Sequence, residues 1–133
     1  MKFKYPLLDD AFSKEDINSA IKVVKSKRIT MGIKTLEFEK KFGNFIKSKY
    51  CLMVNSGSSA NLLAFFALIN PLKKKRLKKG DECLVPAVCW STSLWPIYQS
   101  GLTPKFVDVD KKTFSINLES IKKIVTKKTK AIM

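Results

Sequence analysis

The sequence contains no histidine, and this absence limits the metal chemistry that the chain could support. Its three cysteines, Cys51, Cys83 and Cys89, are an odd number and include no Cys-x-x-Cys pair. Zinc sites are commonly built from paired cysteines completed by histidine, so no metal site is predicted. The cysteines are expected to be reduced thiols, as in a cytoplasmic protein.

Long apolar runs are also missing. None approaches the roughly 20 residues that a membrane-spanning helix requires. The first residues include two lysines, but Asp9, Asp10 and Asp16 interrupt the stretch where a secretory signal peptide needs an apolar core. We therefore expect a soluble, cytoplasmic protein without a membrane partner.

Arginine is scarce although the chain is strongly basic. Lys and Arg total 26 against 11 Asp and Glu, a net charge of +15, and only Arg28 and Arg76 are arginines. Such a field attracts nucleic acids, anionic membranes or phosphorylated small molecules. The lysine runs are not interleaved with aromatic residues and no nucleic-acid-reading motif is present, so a solvated lysine surface is favoured over a nucleic-acid-binding module.

The chain of 133 residues suffices for one domain with a hydrophobic core. A capping-box variant, Ser13 with Asp16 three residues later, predicts the start of a first helix, and a second amphipathic stripe follows Gly32. Further helices are predicted over 60–69, over 91–101 despite Pro96, and from the Asn117 cap onward. Predicted strands cover 50–55, 83–87, 104–110 and 128–133.

This alternation of strands and helices is typical of right-handed βαβ units on a parallel sheet. The last predicted strand stops at Met133 with no helix after it. A parallel sheet is normally covered on both faces, so the chain is expected to be the front part of a longer protein.

The segment VNSGSSANLL, residues 54–63, places small polar residues between a predicted strand and a predicted helix. The first amides of a helix are unpaired and carry the positive end of its dipole, so Gly57, Ser58 and Ser59 could bind an anion. The alternative is that Ser58 or Ser59 only caps the helix, which the residues alone slightly favour. Neither the Walker pattern nor the dinucleotide pattern is present, which points to another class of phosphate ligand.

Trp90 follows the predicted strand 83–87 at its carboxyl end, where open parallel sheets bind ligands. Its indole could stack on a flat heteroaromatic ring, and core packing is an equally good interpretation. Trp95, beside Pro96, is predicted to lie in the core. Asp108 and Asp110 at the end of the next strand are predicted to be turn or cap residues.

Five linked segments resemble the amino-terminal part of the DegT-type sugar-nucleotide aminotransferases, which are pyridoxal-phosphate enzymes of the aspartate aminotransferase fold. The resemblance runs from about Arg28 to Met133 and is carried by MGIKTLEFEKKFGNFI, NSGSSANLL, GDECLVP, CWSTS and GLTPKFVDVDKKTFSINLESI. It implies an α/β fold: an N-terminal helical segment and loop over 1–33, then over 34–133 the first, incomplete part of a parallel-rich, three-layer α/β/α large domain of fold-type I, which binds the cofactor.

The same resemblance assigns site residues. Gly57 and Ser58 match the pair that holds the phosphate of pyridoxal 5'-phosphate, and Trp90 matches the aromatic residue that stacks on its pyridine ring. Gly32 matches a loop glycine near the substrate and the partner subunit of a homodimer. No catalytic residue is expected in this chain, because the family's lysine, or the histidine that replaces it in dehydratases, lies beyond the equivalent of Met133.

Two activities are implied for the full-length protein. The first is transfer of an amino group from an amino acid, expected to be glutamate, to a keto sugar attached to a nucleotide, in polysaccharide or deoxysugar synthesis. The alternative is a deoxysugar dehydratase of the same family, which the long connection NPLKKKRLKKGDE favours. The chain by itself is expected to be inactive, whether as a truncated product or as one part of a split enzyme.

Overall fold

The computed structural model describes Tyr5, Leu8, Asp9 and residues 11–133. Asp10 and residues 1–4, 6 and 7 of the predicted 1–33 segment lie outside the described part. The chain divides into two compact units, Met1–Met53 and Val54–Met133. The boundary expected at residue 33 concerns the large domain of a whole enzyme and stays a prediction.

The first unit contains two helices, α1 (Lys14–Lys25) and α2 (Ile33–Phe45). The predicted capping box is confirmed: Ser13 Oγ accepts the Asp16 N–H at 3.1 Å, and the Asp16 carboxylate accepts the Ser13 N–H at 3.0 Å. Two of the unpaired donors at the start of α1 are thereby satisfied.

Helix α2 begins at Ile33, and Gly32 is its N-cap residue. Within α2, the buried Gly43 allows close approach of the returning chain, since a Cβ there would lie 3.2 Å from the Ser48 carbonyl oxygen. The Ser48 N–H donates to the Gly43 carbonyl at 2.8 Å. A larger residue at 43 would therefore displace the segment that follows the helix.

The predicted buried strand over 50–55 is wrong. Residues 51–54 pair with no strand in the described part of the chain, and Leu52 and Met53 are exposed. An apolar run becomes a strand only when a neighbouring strand pairs with its backbone groups, and composition cannot report that neighbour.

The second unit contains α3 (Gly57–Ile69), β1 (Glu82–Pro86), α4 (Ser91–Gln99), β2 (Thr103–Val107), α5 (Leu118–Ile124) and β3 (Thr129–Ile132). The strands form a parallel sheet in the order β2-β1-β3, as the alternating pattern predicted. The central strand β1 contributes Cys83, Leu84 and Val85, all fully buried. Phe65 of α3, Ile97 of α4 and Leu102 pack with Cys83 and Val85 in the core cluster.

The direction of the strands gives the sheet two distinct edges. The carboxyl edge is where β1 and β2 end, at Pro86 and Val107, and the Ala87 N–H donates to the Val107 carbonyl there at 2.8 Å. The amino edge is where the strands begin, and the Thr103 N–H donates to the Asp81 carbonyl there at 2.9 Å. Trp90 therefore follows the carboxyl edge, whereas the connection over 72–80 leads into the amino edge.

Candidate cofactor site

The first turn of α3 is organised by Ser56. This residue has extended backbone angles, and its Oγ accepts the Ser59 N–H at 3.1 Å, which makes it the N-cap. The alternative that Ser58 or Ser59 caps the helix is therefore wrong, because the helix already begins at Gly57. Capping by Ser56 leaves both later serines inside the first turn.

This arrangement leaves unpaired donors at the start of α3. Among the described residues, no hydrogen bond uses the N–H of Gly57 or of Ser58, and both residues are exposed. The first turn contains no acidic residue. These amides therefore present the positive end of a 13-residue helix to solvent, and that fits a phosphate group.

Packing against the residues that the structure describes does not require glycine at position 57. A Cβ built there would meet none of their atoms within 4 Å, and the φ of Gly57 is not in the left-handed region. Glycine at a helical position generally costs stability relative to alanine. The open space beside its backbone is what close approach of a ligand phosphate requires.

Trp90 is the N-cap residue of α4, and the residue is 76% exposed. Its carbonyl accepts the Ser93 N–H at 2.9 Å, which fixes the backbone at the start of the helix. The core-packing interpretation of Trp90 is therefore wrong for this chain, and its ring is open to a planar ligand. The prediction that Trp95 lies in the core is also wrong. Trp95 is 53% exposed, and its neighbours Pro96 and Ile97 are buried instead.

Asn61 connects the two helix starts. Its Nδ2 donates to the Thr92 carbonyl at 3.4 Å, and the bond is partly buried. Asn61 lies one helical turn after Gly57, and Thr92 lies two residues after Trp90. The predicted phosphate-binding residues and the predicted ring-stacking residue therefore lie at the same edge of the sheet. Neither Ser56 nor Asn61 was predicted as a site residue, although Asn61 is the single amide in the otherwise apolar stretch 60–69.

Gly32 belongs to the first unit. A Cβ there would lie 3.1 Å from the Arg28 carbonyl oxygen, so local packing already accounts for a small residue. Its role near substrate and partner subunit stays a prediction.

Of the two aspartates after β2, Asp110 caps the turn over 111–113, as predicted, whereas Asp108 lies outside a turn. Asp110 Oδ1 accepts the N–H groups of Lys112 and Thr113, each at 2.9 Å, and the bond from Thr113 is the main reason that the pKa of Asp110 is lowered. Asp108 Oδ1 accepts the Val109 N–H at 2.8 Å.

The three cysteines are free thiols in different surroundings. Cys83 is fully buried, and burial raises its pKa to about 11, whereas Cys89 is exposed beside Trp90. In residues 5, 8, 9 and 11–133, no group of cysteine and carboxylate side chains is arranged to hold a metal ion. None of the helices described is long and apolar enough to cross a membrane.

Comparison with known proteins decides the family. The sequence profile of the DegT/DnrJ/EryC1/StrS aminotransferase family matches residues 10–133. The chain belongs to this family. The resemblance found in the sequence is thereby confirmed.

Several relatives are dehydratases. The GDP-4-keto-6-deoxy-D-mannose 3-dehydratase of Yersinia pseudotuberculosis is 44% identical over 97% of the chain and 33% of its own length. The Escherichia coli enzyme of the same activity, solved with bound hydrated pyridoxal phosphate, is 47% identical, with a TM-score of 0.88 over 97% of the chain and 33% of that structure. The chain thus spans about a third of the length of these relatives.

An aminotransferase is also similar, at greater distance. The Helicobacter pylori aminotransferase PseC, involved in the biosynthesis of pseudoaminic acid, is 26% identical, with a TM-score of 0.74 over 91% of the chain and 31% of that structure. These likenesses confirm the fold-type I α/β class. They also confirm the predicted cofactor at the level of the family, whose members are pyridoxal-phosphate-dependent enzymes.

Proposed function

We propose that the whole protein is a pyridoxal-phosphate-dependent dehydratase that removes the 3-hydroxyl of a nucleotide-linked 4-keto-6-deoxy sugar, with GDP-4-keto-6-deoxy-D-mannose as the first substrate to test. The observation that carries this proposal is the identity of 44% and 47% to two such dehydratases, against 26% to the aminotransferase PseC. The dehydratase alternative of the sequence analysis thus replaces aminotransfer as the favoured activity.

Within this chain, we assign the cofactor to the first turns of α3 and α4. The N–H groups of Gly57 and Ser58 donate to its phosphate, with the Ser58 hydroxyl as a further donor. Trp90 stacks on the face of its ring, and Asn61 keeps the two helix starts together. The bound cofactor supplies a ring that accepts electrons from a carbanion at the substrate.

No described residue is assigned a catalytic role. Six basic residues between Lys73 and Lys79 follow α3 and lead into the amino edge of the sheet, away from Trp90, so none of them is proposed to act on the substrate. The residue that decides between dehydration and aminotransfer, histidine or lysine, is proposed to come from the part of the whole protein after Met133. The chain of 133 residues alone is accordingly proposed to be inactive.

Aminotransfer is the second candidate, because the family includes enzymes such as PseC. Glutamate is the proposed nitrogen donor in both cases. We further propose that the whole protein is a cytoplasmic homodimer, with Gly32 near the subunit contact and residues 34–133 forming the first part of the large domain.

The test uses the whole protein with pyridoxal phosphate, GDP-4-keto-6-deoxy-D-mannose and glutamate labelled in its amino nitrogen. Dehydration predicts a sugar product that lacks one oxygen, with the label released as ammonia. Aminotransfer predicts the label in the sugar, in place of the keto oxygen. Failure of the whole protein to bind pyridoxal phosphate would reject both activities.

A further inference from the structure

The connection between α3 and β1, residues 72–80, carries an unusual density of positive charge and is here termed the basic loop. It contains six cations, all exposed: Lys73, Lys74, Lys75, Arg76, Lys78 and Lys79. Within the described part of the chain, none of them forms an ion pair with a carboxylate. The adjacent acid, Asp81, accepts the backbone N–H of Lys78 at 2.8 Å.

The basic loop is held in a defined shape. Leu77 packs against the core, and its N–H donates to the Leu68 carbonyl at 3.0 Å. The Arg76 guanidinium donates to the Pro71 carbonyl at 2.9 Å, and the Gly80 N–H donates to the Gly101 carbonyl at 3.0 Å. The cations are therefore presented from an anchored backbone, which lowers the entropy lost when a partner binds.

An apolar side chain stands among these charges. Leu72 is 91% exposed and immediately precedes three lysines. One exposed leucine alone is unremarkable in a folded protein. Next to a cluster of cations it matches the combination of apolar insertion and electrostatic attraction by which proteins bind anionic membrane surfaces.

Beside the loop, a shallow, open depression is lined in part by Arg76, Lys78 and Lys79. The positive charge of these side chains suits the phosphate of a lipid headgroup. The basic loop contains no aromatic side chain on which a base could stack, and this disfavours a nucleic acid as the occupant.

We propose that the basic loop is a docking surface for an anionic phospholipid membrane. The loop leads into the amino edge of the sheet, whereas Trp90 follows the carboxyl edge, so docking leaves the candidate cofactor site free. The expectation of no membrane partner rested on the missing membrane span, which surface docking does not need.

The test is flotation of the whole protein with vesicles of phosphatidylcholine alone or with about one-third phosphatidylglycerol. We expect binding only to the anionic vesicles, and less of it as salt is raised, because the attraction is electrostatic. In the Lys74→Gln/Lys75→Gln variant the partition coefficient should fall at least about tenfold, since each basic residue near a membrane contributes roughly a fivefold factor. Leu72→Ala should weaken the vesicle binding that remains at high salt, because that remainder depends on apolar insertion.

The matched control is Lys111→Gln/Lys112→Gln, which removes another exposed lysine pair from the turn that follows the carboxyl edge. It should retain most of the binding. Three results would each overturn the proposal. They are binding to neutral vesicles as strong as to anionic vesicles, an equal loss of vesicle binding in both double variants, and binding of RNA without binding of vesicles. Because all four lysines are exposed, circular dichroism should show both variants folded.

Discussion

The side-chain amide of Asn61 on α3 donates a hydrogen bond of 3.4 Å to the carbonyl oxygen of Thr92 in the first turn of α4. The two residues are 31 positions apart, and they join the helix start that carries Gly57 to the one that carries Trp90. One side-chain hydrogen bond therefore links the helix that carries the proposed phosphate donors to the helix that carries the proposed ring-stacking residue.

Replacement of Asn61 by alanine should separate these two halves. We expect an affinity for pyridoxal phosphate reduced severalfold, with a loss of unfolding free energy of about 1 kcal/mol, the usual contribution of one hydrogen bond. Absorbance titration with the cofactor and thermal melting of the cofactor-free whole protein measure the two effects. Asn44→Ala on α2 is the control, and equal losses in both variants would contradict a positioning role for Asn61.

Gly57→Ala should have opposite effects on stability and on binding. The cofactor-free protein should be as stable as the wild type or more stable by up to about 1 kcal/mol, because glycine is a poor helix former and the added Cβ meets open space. The affinity for pyridoxal phosphate should fall about tenfold, since the methyl group obstructs a charge-assisted hydrogen bond. Unchanged affinity for both pyridoxal phosphate and free phosphate would show that the phosphate binds elsewhere.

Trp90 should matter for the cofactor and Trp95 should not. Trp90→Ala is expected to weaken cofactor binding about tenfold, whereas Trp90→Phe should retain most of it, because a benzene ring can still stack. Both tryptophans are largely exposed, so neither substitution should lower the melting temperature much. Trp95→Ala is the matched control, and a similar loss of binding there would refute the assignment.

Patterns that depend on near neighbours were predicted well. The capping box of Ser13 and Asp16 and the Asn117 cap of α5 are interactions within one helical turn, and the structure contains both. The parallel sheet was also predicted, because strand and helix alternate throughout the second unit. Local chemistry and periodicity suffice for such features.

Features that depend on distant partners were predicted poorly. The apolar segment over 51–54 lacks a described neighbouring strand, and Trp95 is exposed because Pro96 and Ile97 occupy the core side of α4. Asn61 and Thr92 come together only once α3 and α4 pack on the sheet. The candidate site residues Gly57, Ser58 and Trp90 were predicted through the family resemblance, since the residues alone left capping and core packing open.

The thiols should react in an order set by burial. Cys89 is exposed and should be modified first, Cys51 should follow, and Cys83 should react only on unfolding, since it is buried with its pKa raised to about 11. Because Cys89 adjoins Trp90, pyridoxal phosphate should slow its modification in the whole protein. Peptide mapping after timed alkylation measures each rate, and Cys51 is the internal control that the cofactor should leave unaffected.

Glu82 should make the stability of the sheet depend on acid pH. Its carboxylate accepts the Thr126 hydroxyl at 2.6 Å and the Thr129 hydroxyl at 3.0 Å, and Lys105 of β2 lies 3.7 Å away. The bond from Thr126 is the largest cause that holds the pKa of Glu82 below its ordinary value of 4.5. All three strands thus meet one ionised carboxylate at the amino edge.

Because the folded state lowers this pKa, ionised Glu82 stabilises the fold fully above pH 4.5, and that contribution is lost as the pH falls below 4.5 through the folded-state value. Glu82→Gln should therefore lower the melting temperature of the whole protein at neutral pH, and the gap to wild type should narrow in acid. The control is Glu119→Gln, because the side chain of Glu119 is 71% exposed. This variant should differ much less from the wild type in melting temperature. If the difference in melting temperature between Glu82→Gln and the wild type stayed constant from neutral to acid pH, the charge of Glu82 would not stabilise the sheet.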